Sequence, residues 1–155
     1  MRKSRGRGRR SPAAGGGRFE WRRRAARPIE CVRRFVKAVN AADVEGLCDL
    51  MTEDHVFVDS DGTEVRGRET MRQGWTAYFS MMPDYRIQVQ ETYARGSVGV
   101  VIGAAAGTYS PDGSLQPENR WSGPAAWRAV VKRGRVAVWQ VFFNPEPVFR
   151  LLARR

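Results

Sequence analysis

From residue 28 onward the apolar positions change their period along the chain, and each change marks an element. Val32, Phe35, Val36 and Val39 recur at helical spacing. Pro28 suits the first turn of that helix, and Glu30 stands near the positive end of its dipole. Asn40-Ala41-Ala42-Asp43 breaks the helix and caps a short second one, whose stripe is Val44, Leu47, Cys48 and Met51. His55–Ser60 alternates and carries β-branched residues, so it reads as a strand. Asp61-Gly62 is a turn and Gly67 closes the loop. Met71, Trp75, Tyr78, Phe79 and Met82 mark a third amphipathic helix, stopped by Pro83-Asp84.

The rest reads as sheet. Strands are predicted at Tyr85–Tyr93, Val98–Tyr109, Asn119–Val131 and Val136–Phe143, with Lys132-Arg133-Gly134-Arg135 as the last hairpin turn. Gly99, Gly103 and Gly107 share one face of the second of these strands. They leave room there for a ligand or for a tight bend. Three helices come early and a long antiparallel meander follows. This is an α+β layout with helices packed on one face of a curved, mostly antiparallel sheet.

Charge changes the picture only at one end. The net charge is +11, but residues 1–28 hold 11 of the 27 Lys and Arg and one acid, Glu20. The remaining 16 basic residues face 15 acids, so the folded part is nearly neutral and offers no basic groove for nucleic acid. Residues 1–18 contain no large apolar residue after Met1 and cannot bury enough surface to offset their ordering entropy. We expect residues 1–24 to be a disordered Arg/Gly-rich tail and residues 25–155 to be one domain. Such a tail binds nucleic acid or anionic surfaces non-specifically, is a solvated extension without a role, or reflects a start assigned too early.

Cys31 and Cys48 fall in helices and read as small buried hydrophobes in a reducing cytoplasm. With one histidine, a multi-histidine metal site is excluded. No apolar run approaches the ~20 residues of a membrane span.

Several segments resemble the NTF2-like superfamily, and in particular its SnoaL-like, polyketide-cyclase-like branch. They are Phe35–Asp43, Leu50–Asp59, Arg66–Glu69, Met82–Arg86 and Gly134–Phe142, so the likeness spans about residues 29–149. The resemblance implies a cone: a strongly curved sheet wrapped over helices, with an internal apolar pocket at its open end. It also implies a homodimer through the sheet, and no cofactor. Because this fold hosts isomerases, cyclases, hydrolases, dehydratases and plain binders, it does not name a reaction.

Asp59 falls where ketosteroid-isomerase-like relatives place their general base. A carboxylate inside an apolar cone would have its pKa raised, which suits proton abstraction. The other reading is that Asp59, before Ser-Asp-Gly, caps a turn. His55 shares its strand face but lies four residues away, roughly 13 Å at ~3.3 Å per residue, so the two form no direct dyad. His55 is then a separate acid or base, or a surface residue at the strand's start. Those isomerases supply an oxyanion-holding tyrosine from the first helix, where this chain has Phe35, and an acid where it reads Ala125-Ala126-Trp127. An Asp without oxyanion donors lacks what is often the largest catalytic contribution.

The aromatic residues are the other candidates. Arg128 and Lys132 set one parity of the penultimate strand to water, which turns Trp121 and Trp127 inward. Trp139, Val141 and Phe143 share the pocket face of the last strand, and Trp75 and Tyr78 come from the third helix. With Phe35 these are the expected substrate-binding residues, unless the rings simply fill the core. Buried indole N–H groups seek polar partners, which favours a ligand. The expected function is a cofactor-independent isomerase-, cyclase- or hydratase-type enzyme on a mid-sized apolar molecule, with Asp59 as acid/base. The alternative is a non-catalytic small-ligand binder or dimerisation module.

Overall fold

The structure, a computed structural model, describes residues 17–153, with side chains from Pro28 onward. The elements in chain order are α1 (Gly17–Asn40), α2 (Val44–Leu50), β1 (Met51–Val58), β2 (Glu64–Arg66) and α3 (Arg68–Met81). There follow β3 (Arg86–Arg95), β4 (Val98–Thr108), a 3-10 turn at Pro117–Asn119, β5 (Arg120–Lys132), β6 (Arg135–Phe143) and α4 (Glu146–Leu152). Most of the tail expected over residues 1–24 lies outside the described residues. From Gly17 the backbone is already helical, so Pro28 stands inside α1 rather than at its start. Its missing N–H removes one rung of the helix there.

The buried stripe of α1 is the one its periodicity marks: Val32, Phe35, Val36 and Val39, joined by Cys31 and Ala38. Asn40 ends the helix and brackets the edge strand: its Nδ2 donates to the Ile87 carbonyl (2.9 Å) and its Oδ1 accepts from the Ile87 N–H (2.8 Å). The side chain of Asp43 caps α2 by accepting from the Gly46 N–H at 2.9 Å. On α3 the residues Met71, Trp75 and Phe79, four apart, bury one face.

The sheet has six strands in the order β2-β1-β6-β5-β4-β3. All its pairs are antiparallel except β1 with β6. Its register shifts between Val89 and Glu91 of β3, opposite Gly103. A Cβ on Gly103 would collide with the Gln88 carbonyl oxygen, so glycine there lets β3 close in as the sheet bends. Gly99 is tight for a different reason: a Cβ would lie 2.9 Å from Val32 Cγ2, because α1 packs directly on β4. Two of the three strand glycines thus serve packing and curvature. The result is four helices against a curled, mixed six-stranded sheet: the α+β NTF2-like cone, with two small elements, β2 and α4, beyond those read from the sequence.

Candidate functional site

The open end of the cone holds a cavity of about 310 Å³. Strand alternation explains its wall. Register pairs Gly107 with Trp121 and Val101 with Trp127 across β4 and β5, and Trp127 with Val141 across β5 and β6, all on the inner face. Of the residues expected to bind substrate, Trp75, Tyr78, Trp121, Trp127, Trp139, Val141 and Phe143 all line the cavity. Phe35 does not. It is fully buried one layer deeper, 4.7 Å from the Trp139 ring centroid, where α1 meets the sheet.

Six rings follow one another around the wall. Phe57 meets Trp75 edge-on (6.5 Å), Trp75 meets Tyr78 (6.0 Å), and Tyr78 meets Tyr85 at 5.1 Å and 85°. Tyr85 then tilts onto Trp121 (6.1 Å), and Trp121 onto Phe143 (5.3 Å). Such edge and offset contacts add to area burial and stiffen the wall. Phe57 and Tyr85 escape the sequence reading, as do Val148 and Phe149 of α4, which close one side of the mouth. Phe57 shares the inner face of β1 with His55, and that alternation would have found it.

The polar groups of the wall divide into satisfied and unsatisfied ones. The Trp121 indole donates to the Met82 thioether at 3.4 Å. The indole N–H groups of Trp75 and Trp127 are buried with no hydrogen bond of normal geometry. Burial raises the pKa of Tyr78 well above the ordinary phenol value, and the neighbouring Tyr85 and the charge of Asp59 push the same way. Tyr85 is likewise raised, first by burial and also by Asp59, with the Trp127 N–H acting in the opposite direction. Both phenols therefore stay neutral and protonated.

Asp59 stands at the rim of the cavity and is exposed. Its Oδ1 accepts from the Ser60 N–H at 2.6 Å, its N–H donates to the Thr63 carbonyl, and its carbonyl accepts from Gly62. The carboxylate thus faces an aromatic cavity and at the same time holds a turn.

His55 is not a surface residue and does not line the cavity. It has no exposed surface, its Nδ1 lies 2.7 Å from the Val136 carbonyl oxygen, and its ring stacks on Phe35 at 6.2 Å and 24°. A carbonyl can only accept, so Nδ1 carries the proton and donates. Burial lowers the His55 pKa, against the Val136 hydrogen bond and the charge of Asp54, which raise it. β1 ends at Val58, so His55 lies within the strand, sunk in the core, and Asp59 lies just past its end, at the rim.

A second, open groove of about 540 Å³ lies outside the cone between β5 and α4, walled by Arg120, Asn144 and the Glu146–Arg150 ion pair (2.8 Å). It is larger but shares only Trp121 with the aromatic wall. Among the described residues no group of three or more His, Cys, Asp or Glu could hold a metal ion. No described helix is long and apolar enough to cross a membrane.

Several solved structures share this architecture. A protein of Jannaschia sp. CCS1 named as a SnoaL-like polyketide cyclase superposes with a TM-score of 0.73 at 17% identity, over 85% of this chain and 95% of that one. An LEH-like epoxide hydrolase of M. tuberculosis gives 0.69 at 16% identity, over 84% and 92%. IdmH of Streptomyces antibioticus, also named as a polyketide cyclase, gives 0.66 at 21% identity, over 81% and 98%. At these identities the likeness is one of fold. No curated protein matches the chain in sequence. Residues 32–139 match the family model of the SnoaL-like domain, well over half of the chain, and the protein belongs to that family.

Proposed function

We propose that the protein binds a mid-sized apolar molecule in the cone and acts on it without a cofactor, as an isomerase-, cyclase- or hydratase-type catalyst with Asp59 as acid and base. The observation that carries this reading is the position of Asp59. It is a carboxylate at the mouth of an aromatic cavity, and its charge reaches the phenols of Tyr78 and Tyr85. The other wall carboxylate, Asp61, is committed to the Thr63 N–H at 2.8 Å. His55 takes no part, because it is sealed in the core. The names carried by similar structures, polyketide cyclase and epoxide hydrolase, fit small organic substrates of this size.

Exchange of the α-protons of 1-tetralone in D₂O, followed by NMR, tests the acid–base role with a bicyclic ketone small enough for the cavity. The wild-type protein should accelerate exchange. Asp59→Asn should lose on the order of 10²–10⁴-fold of that acceleration while still binding the ketone. Folding should be preserved, because Asn caps the same turn. A second reading, a non-catalytic binder, is favoured by the bond from Ser60 N–H that occupies Asp59. Ketone binding without accelerated exchange would decide for it.

The outer face of the sheet supports a homodimer. Register places Ile102, Ala126 and Phe142 side by side there, with Ile102 40% and Phe142 51% exposed. Sedimentation equilibrium should give twice the 17.5 kDa chain mass for the wild type, and the monomer mass for Phe142→Lys. A monomeric wild type would refute the arrangement.

A further inference from the structure

Resting on the reading of the cone as a ligand cavity, we propose that Tyr85 reads an oxygen on the ligand, its phenol donating to a neutral carbonyl-type acceptor on an otherwise apolar molecule. Tyr85 sits at the corner between α3 and β3, and that corner is pinned. Asp84 accepts from the Thr108 N–H (2.6 Å) and from the Thr108 hydroxyl (2.7 Å). Tyr78 meets the ring at 5.1 Å from one direction and Trp121 at 6.1 Å from another, so the phenol is held in one orientation while lining the cavity.

The polarity of the neighbours then fixes what the phenol can do. The Trp127 indole N–H, buried without a hydrogen bond, belongs to the same cavity wall as Tyr85. An indole nitrogen only donates, so it cannot accept the phenol hydrogen, which is left for an acceptor in the cavity. Burial and the charge of Asp59 keep that hydrogen in place. The group is therefore a fixed donor, suited to an atom that only accepts. The acceptor is neutral, because an anion would stand against Asp59 on the same cavity wall. A ketone oxygen meets both conditions. In the ordinary ligand pocket a few such polar groups set orientation while the apolar wall supplies affinity.

The test compares 1-tetralone with tetralin, which has the same bicyclic frame without the oxygen, by calorimetric titration of the wild type and Tyr85→Phe. The wild type should prefer the ketone by roughly 3–10-fold, the value of one neutral hydrogen bond. Tyr85→Phe should bind tetralin as before and lose the preference. Equal affinity of the wild type for both compounds would overturn the role of Tyr85 while leaving the cavity reading intact. So would a preference that survives in Tyr85→Phe. Failure of the wild type to bind either compound would instead overturn the cavity reading, and this inference with it. A measurement on the wild type alone guards against a variant that folds poorly: the carbonyl stretch of bound ¹³C-labelled 1-tetralone. A hydrogen-bonded carbonyl lies at lower frequency than in an apolar solvent, and a bound band at the apolar-solvent frequency would refute the donor.

Discussion

The closed and open ends of the cone are cut from the same strands, and the inner face of β1 passes through both. His55 and Phe57 follow one another along it, and Asp59 comes just past its end. His55 is packed under Phe35 with its Nδ1 bound to a backbone carbonyl, Phe57 lines the cavity, and Asp59 is exposed at its rim. Two glycines of β4 differ in the same sense. A Cβ on Gly99, near α1, would press on Val32 at 2.9 Å, whereas one on Gly107, beside Trp121, would make only ordinary contact at 3.5 Å. At the closed end side chains are fitted to each other; at the open end they are fitted to a space. Two residues of the same chemical type therefore do different work according to their depth, and depth is set by which helix covers the strand.

The largest effect is expected where fitting is tightest. Phe35 has no exposed surface and touches His55 on one side and Trp139 on the other. Phe35→Ala should destabilise the protein by about 3–5 kcal/mol, because truncating a buried ring loses transfer energy and leaves a cavity. Urea unfolding midpoints check it. A loss below ~1 kcal/mol would mean that the closed end can collapse around the gap, and the contrast between the two ends would fall.

Faces were legible in the sequence and depth was not. The parity of β5 turned Trp121 and Trp127 inward because Arg128 and Lys132 demanded water, and both indoles are buried. Seven expected wall residues from α3, β5 and β6 meet around one cavity, since periodicity names the face of an element directly. The same periodicity says nothing about how far along the cone a residue sits, so it does not separate Phe35 and His55, buried beneath the wall, from the residues that line the cavity. Tyr85 was missed as a wall residue because it follows a helix stop and reads as the start of a strand. The short α4 was missed although its signals are present: the Asn144 side chain accepts the Glu146 N–H (3.1 Å), and Leu151 is buried.

The smaller expected effect concerns His55 and sharpens the comparison by titration. Its folded-state pKa is lowered, chiefly by burial, relative to the ordinary histidine value of ~6.5 that the unfolded chain keeps. As pH falls through that value the unfolded chain takes up a proton that the folded one resists, so unfolding is favoured. The contribution of His55 is thus fully present above about pH 6.5 and diminishes as pH falls from there toward the folded-state pKa, with a slope of at most ~1.4 kcal/mol per pH unit. Carboxylates titrate in the same range, so the wild type must be compared with a variant that differs only here. In His55→Asn the amide nitrogen can take the place of Nδ1 and still donate to the Val136 carbonyl, but it does not titrate. The variant loses some packing against Phe35, which offsets its whole profile downward without tilting it. Urea unfolding at pH 7.5 and pH 5.0 should show the wild type losing more stability than His55→Asn across that interval. Parallel profiles would mean that His55 accepts its proton without penalty, and the closed end would then be wetter than its packing indicates.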